Sequence, residues 1–368
     1  MMKTILLTSL ILLASHFATA QSRSDDSVTI DYQQLFARCL DGDVKSALTL
    51  LEFGEIKKLS AKDLQVKAQF EKRFKNAKDE SDYLEARKSP ITPLLTLYRD
   101  YWRESLLEHS NKYDSSFGKQ VAAFLIEQNP AAHQSIMSED SIDVYLKKYI
   151  KSFGLHTTGF GKTGQYIDLL VWKTQKDTTY SFTLNGELTS ARVVFMDSFI
   201  TLGWEEYATF GRAFPGGWTT HEALYCVRKA YDLTSEEFLV SYLAHESRHF
   251  ADYKLFPKLQ SADLEYRAKL TELSMAKVTL FKTIESFIQN ANYDSENGHS
   301  IAAFCVIRDL SKSLFHVDFE RDIAKWQALS IERIHASASD LLLANTNALK
   351  QQGSDVEYFI KKPTASPR

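Results

Sequence analysis

Hydrophobic positions along residues 31–137 recur at three- and four-residue spacing, the period of a packed helix face. Leu35, Cys39, Val44, Ala47, Leu50 and Leu51 mark two short helices joined at Asp41-Gly42-Asp43. Residues 57–88, rich in Lys, Glu, Ala and Asp, read as an exposed helix. Ser89-Pro90-Ile91-Thr92-Pro93 breaks it, and residues 94–109 give another amphipathic helix. The segment 36–52 is hairpin-like, but nothing recurs at a fixed period, so a repeat array is not expected. These residues form an N-terminal helical region, 21–140, read as an accessory layer. Asn129-Pro130 and the polar stretch to Ser141 mark its end.

Beyond residue 140 the period changes. Residues 166–172 (YIDLLVW), 178–184 (TTYSFTL) and 191–196 (ARVVFM) are β-rich runs, and Asn185-Gly186 is a hairpin signal between the last two. Helical spacing then returns. Thr234 and Glu237 fit a capping box ahead of the apolar run Phe238, Leu239, Val240, Tyr242, Leu243 and Ala244, and Pro257 ends the helix that follows. A second long helical pattern carries Tyr266, Leu270, Leu273, Leu280, Ile284 and Phe287 on one face, which puts Glu265 at that face's edge. After the polar turn at 292–298, residues 301–315 and 319–349 continue helically. Residues 361–368 read as a frayed basic tail. The expected fold class is α+β and mainly helical, with a catalytic domain over 141–360.

Composition changes this picture little. With 44% hydrophobic and 25% charged residues the chain has the make-up of a packed globular protein. Residues 1–20 read as a signal peptide: Lys3, an apolar stretch over 5–13, and Ala18-Thr19-Ala20 before Gln21. That stretch is too short to span a bilayer as a mature helix. The expectation is an exported protein, periplasmic or secreted, with no stable membrane anchor after cleavage. Losing Lys3 moves the formal net charge from −3 to −4. Such mild acidity gives no footprint for nucleic acid. Cys39, Cys226 and Cys305 lack metal-type spacing and read as small buried apolar residues.

The candidate chemistry lies in His245-Glu246-Ser247-Arg248-His249. On a helix, positions i and i+4 share a face, so the two imidazoles can meet at one metal ion with Glu246 beside them. A catalytic zinc takes three protein ligands and keeps a fourth position for water. Sixteen residues on stands Glu265, with Ala268 after it; Asp252, Asp263 and Glu272 are alternatives for the third ligand. Asp252 is also placed to hold an imidazole N–H from behind. For the negative charge that develops in acyl transfer, Tyr231, His221, Tyr253 and Arg248 are nearby in sequence, none of them singled out. His299, His316 and His335 have no partner pattern and read as structural or solvated. The segment from Gly203 through the glycines at 211, 216 and 217 and Trp218 is a candidate lip for a cleft.

Residues 241–273 resemble the gluzincin class of zinc metallopeptidases, in which H-E-x-x-H is followed by a helix bearing a glutamate ligand in an E-x-x-A-like setting. The likeness extends more loosely back to Tyr166, and the neighbourhood resembles exported bacterial proteins with a metallopeptidase signature. It implies a zincin-like domain with a small antiparallel-rich sheet, whose edge strand pairs with an extended peptide. It also implies Zn²⁺ held by His245, His249 and Glu265, with Glu246 as general base. A peptide or protein is then the expected partner, and a zinc metallopeptidase the expected activity. A zinc-bearing module without catalysis and a non-peptidase amide hydrolase are the alternatives.

Overall fold

The computed structural model describes residues 30–52, 59–76, 88–132, 135–136, 138–184, 187–220, 222–295 and 297–360. The chain is mainly helical with a small sheet, an α+β arrangement. The proposed signal peptide, Asn185-Gly186, His221 and the tail lie outside the described residues. Two compact units divide the chain: Met1–Gln175 with Met196–Gly216, and Lys176–Phe195 with Gly217–Arg368. Residue 140, where the sequence pattern changes, falls inside the first unit.

In the first unit, α1 (Tyr32–Leu40) and α2 (Val44–Glu52) meet at the expected turn. Gly42 there has φ 76°, and a Cβ would lie 2.6 Å from the Tyr166 ring, so no other residue fits without displacement. Helix α3 (Ala61–Phe70) starts in a capping box between Ser60 and Asp63 and runs on as a π-helical turn, Glu71–Lys75. It is not simply exposed: Val66, Phe70 and Phe74 are buried in the unit's core. Next come α4 (Thr92–Glu108), α5 (Asp114–Gln128) and α6 (Glu139–Lys151). Strands β1 (His156–Thr157), β2 (Gly161–Thr163) and β3 (Tyr166–Asp168) follow. The aromatic residues of α4 anchor β3. Trp102 donates to the Ile167 carbonyl at 2.9 Å, and the Tyr101 hydroxyl accepts from the Ile167 amide at 2.9 Å.

Where three β runs are expected, two long strands form, β4 (Leu170–Leu184) and β5 (Glu187–Leu202), each contributing residues to both units. Helix α7 (Trp204–Thr209) completes the first unit.

In the second unit the outer halves of β4 and β5 continue into β7 (Leu224–Val227) and then the edge strand β6 (Gly217–Thr219). Strands β6 and β7 pair antiparallel, Trp218 opposite Tyr225, with their rings stacked at 5.3 Å. A Cβ on Gly217 would lie 2.4 Å from the Tyr225 carbonyl oxygen, so this glycine serves strand packing.

The helical part differs from the sequence pattern in three places. The apolar run before the motif is π-helical (Glu237–Ala244), and its start is held by Ser235, whose hydroxyl accepts from the Phe238 amide. Thr234 instead folds onto Asp232, hydroxyl to carboxylate at 2.8 Å. The long pattern after Pro257 is two helices, α9 (Ser261–Met275) and α10 (Leu280–Asn290), after the motif helix α8 (His245–Leu255). The break between them is fixed by Glu236, whose carboxylate accepts from the Lys277 and Thr279 amides at 2.8 Å each. The last pattern divides as well. Helix α11 (Gly298–Phe315) is followed by α12 (Ile323–Gln327) and α13 (Ile331–Gln352), the last capped by Ser330.

Helix α9 is the centre of this unit. It packs against α8, α11 and α13. Every residue from Asp263 to Leu273 is buried, so Glu265 lies inside and not at the edge of a face. Cys39, Cys226 and Cys305 are buried thiols without disulfides. Among the described residues, no helix is long and apolar enough to cross a membrane.

Candidate metal centre

One turn of α8 places His245 and His249 side by side, with ring centroids 5.0 Å apart. Helix α9 crosses them and brings Glu265 into contact with both. Its Oε1 is 3.2 Å from His249 Nε2, and its Oε2 is 3.5 Å from His245 Nε2. One donor atom from each of the three residues lies within 4.8 Å of the others, and all three side chains are fully buried. Metal–ligand bonds of about 2.0–2.1 Å in a tetrahedron separate neighbouring donors by roughly 3.3 Å. The 3.2 Å between Glu265 Oε1 and His249 Nε2 fits that, and one donor atom of His245 lies within 4.8 Å of the other two. Among the described residues, neither imidazole and neither oxygen of Glu265 makes a well-formed hydrogen bond. Buried polar atoms without partners are costly, and here they point together. The donor set therefore fits a metal ion.

The other acidic candidates are occupied differently. Asp252 does not reach an imidazole. It binds Arg267 through both oxygens, Nε to Oδ2 at 2.7 Å and Nη2 to Oδ1 at 2.9 Å. Asp263 accepts from the backbone amides of Phe359 and Ile360 at 3.2 and 3.0 Å. Glu272, two turns along α9 from Glu265, lies on the far side of His245, its Oε2 3.5 Å from Nδ1. Glu272, and not Asp252, is the carboxylate that stands behind a candidate ligand imidazole.

Electrostatics suits a cation. Burial lowers the pKa of the His245 imidazolium, but Glu265 and Glu272 outweigh that and push it up to about 10. Burial also disfavours the charge on Glu265, yet His299, His249 and His245 together hold its carboxyl well below the usual range.

Glu246 is 1% exposed, and the Thr219 hydroxyl of β6 donates to its carboxylate. Thus the edge strand of the sheet holds the carboxylate next to His245, one of the three candidate ligands. Tyr231 is buried, its ring 5.0 Å from that of Tyr242 and its hydroxyl without a hydrogen-bond partner among the described residues. Burial, and the charges of Cys226, Glu246 and Glu272, hold that hydroxyl well above its ordinary pKa, so it stays a donor. Tyr253 stacks beside His249 at 6.5 Å, and Arg248 donates to Thr271 at 3.1 Å.

Three participants had no signal in the sequence. His299, at the start of α11, sets its Nδ1 2.9 Å from Glu265 Oε2 while 30% of its side chain stays exposed. His335, by contrast, meets the Ala276 carbonyl at 2.6 Å in a structural contact. Lys269 is buried with its ammonium 3.7 Å from the same Oε2. Thr219 is the third. Near His299 the sequence shows only the polar turn at 292–298, which says nothing of Glu265.

No known family's sequence profile matches this chain, and no curated protein or solved structure matches it.

Proposed function

We propose that this chain is an exported zinc-dependent peptidase of zincin-like architecture and gluzincin type. The observation that carries the reading is the convergence of His245, His249 and Glu265 with Glu246 on the same helical turn. Two imidazole nitrogens and one carboxylate oxygen are the donor set of hydrolytic zinc sites. Zinc bound by them would supply a Lewis acid and lower the pKa of its water towards 7.

The chain's own residues divide the remaining work. Glu246 accepts the proton of the attacking water and returns it to the leaving amine. Thr219 orients Glu246, and because it belongs to edge strand β6, the strand that would pair with an extended peptide is tied to the base. Glu272 stands behind His245, its Oε2 3.5 Å from Nδ1. Tyr231, a buried hydroxyl that keeps its proton, is the candidate donor for a developing oxyanion.

The full burial of all three ligands favours a second reading, a zinc-bearing module without catalysis, because a substrate has to reach them. Glu246→Gln separates the two. It should keep one zinc per chain and lower peptide hydrolysis by about 10²–10⁴-fold, the usual worth of a general base. Zinc without hydrolysis of any peptide by the native chain would favour the module. Hydrolysis unchanged in the variant would refute Glu246 as the base.

A further inference from the structure

We infer that His299 is a positioning residue that makes Glu265 a one-oxygen ligand; the inference rests on the metal-site reading above. The two oxygens of Glu265 have unequal surroundings. Oε1 faces His249 Nε2 at 3.2 Å. Oε2 is approached by His299 Nδ1 at 2.9 Å and by the Lys269 ammonium at 3.7 Å, as well as by His245 Nε2 at 3.5 Å.

His299 does not join the set of donors that converge on one point, so it acts on the carboxylate and not as a further ligand. With His299 Nδ1 and the Lys269 ammonium both set beside Oε2, that oxygen is the occupied one and Oε1 is left for the ion. That matters chemically. A carboxylate giving both oxygens would occupy two positions around the metal and take the one a water needs.

The backbone is built to hold His299 there. The Asn297 side chain accepts from the His299 amide at 2.8 Å, fixing the first turn of α11. Gly298 lets that turn press on the start of α9: a Cβ there would lie 2.4 Å from Ser261 Oγ and 3.1 Å from the Ala262 amide nitrogen. The start of α11 is thus brought against the helix that carries Glu265. At 30% exposure, His299 can be replaced without opening a hole in the core.

The test uses the full chain, with zinc affinity measured by chelator competition and the visible absorption of the Co²⁺-loaded protein. His299→Ala should bind zinc about 10–100-fold more weakly and shift the Co²⁺ bands towards a higher coordination number. His299→Asn, whose amide nitrogen reaches the place of Nδ1, should restore most of the affinity, and His299→Gln should not. If His299→Ala fails to fold by circular dichroism, the Asn and Gln variants decide alone. Native affinity and spectrum in His299→Ala, or equal behaviour of Asn and Gln, would overturn the inference while leaving the metal site standing. A native chain that takes up no zinc would overturn the metal-site reading and this inference with it.

Discussion

Replacing Asp252 by leucine tests what holds helix Ser261–Met275 against helix His245–Leu255, and so what brings Glu265 to the histidines. The Arg267 side chain is 1% exposed and is bound through all three guanidinium nitrogens. Two contacts go to Asp252, and Nη1 donates to Asn345 Oδ1 at 2.8 Å and Thr346 Oγ1 at 3.0 Å. Two parallel charge-assisted bonds are the strong form of this pair. Removing one partner strands the other charge away from water, at about 3–5 kcal/mol. Asp252→Leu should fall in that range, because Asp252 supplies both carboxylate bonds to the Arg267 guanidinium. Arg267→Met should cost less, about 3 kcal/mol, since the Arg248 guanidinium stands 3.9 Å from Asp252 and can close on it. The double variant removes both charges together, so its cost should fall short of the summed single costs by about 2 kcal/mol or more. Urea unfolding of the four proteins at one pH, with chelator present, measures each value. The reasoning fails if Asp252→Leu costs under about 1 kcal/mol or if the costs simply add.

Two further outcomes follow from buried carboxyls. In the first unit, burial and the charge of Asp168 push the carboxyl of Glu205 up to about 8, against about 4.3 in an unfolded chain. The folded chain then holds the extra proton between those values, so stability falls as pH rises through that window, by on the order of 4 kcal/mol between pH 5 and 8. Asp168, raised to about 6 mainly by burial, adds to the same slope at its acid end. Glu205→Gln should flatten the fall above pH 6, read as urea midpoints at pH 5, 6.5 and 8; a native protein equally stable at all three contradicts this. In the second unit, Glu272→Gln should weaken zinc binding about 10–100-fold by loosening His245. Chelator competition checks it, and unchanged affinity would show that Glu272 does not support the ligand.

What the sequence by itself determined is local. A five-residue motif on a helix sets the placing of His245, Glu246 and His249, because one turn of backbone brings i and i+4 together whatever surrounds it. The turn at Gly42 and the helix stop before Pro257 are of the same kind, being fixed by allowed backbone angles within a few residues. Glu265 stood out among four acidic candidates only through a family resemblance. Its neighbours Asp252, Asp263 and Glu272 have the same chemistry, and spacing alone does not say which one faces the histidines.

Tertiary packing decided that. Asp252 is taken by Arg267, Asp263 by the backbone at Phe359 and Ile360, and Glu272 turns to the rear of His245, which leaves Glu265 at the centre. The same packing set the start at Ser235, the π-helical run ahead of His245 and the break between Met275 and Leu280. Each depends on partners far along the chain or on how the helix settles in the core. His299 is the clearest case. Thirty-four positions separate it from Glu265 in the sequence, and no periodicity links them. Their contact exists because a glycine lets two helix starts approach closely, and close approach between distant segments is a property of the packed interior that a linear pattern does not carry.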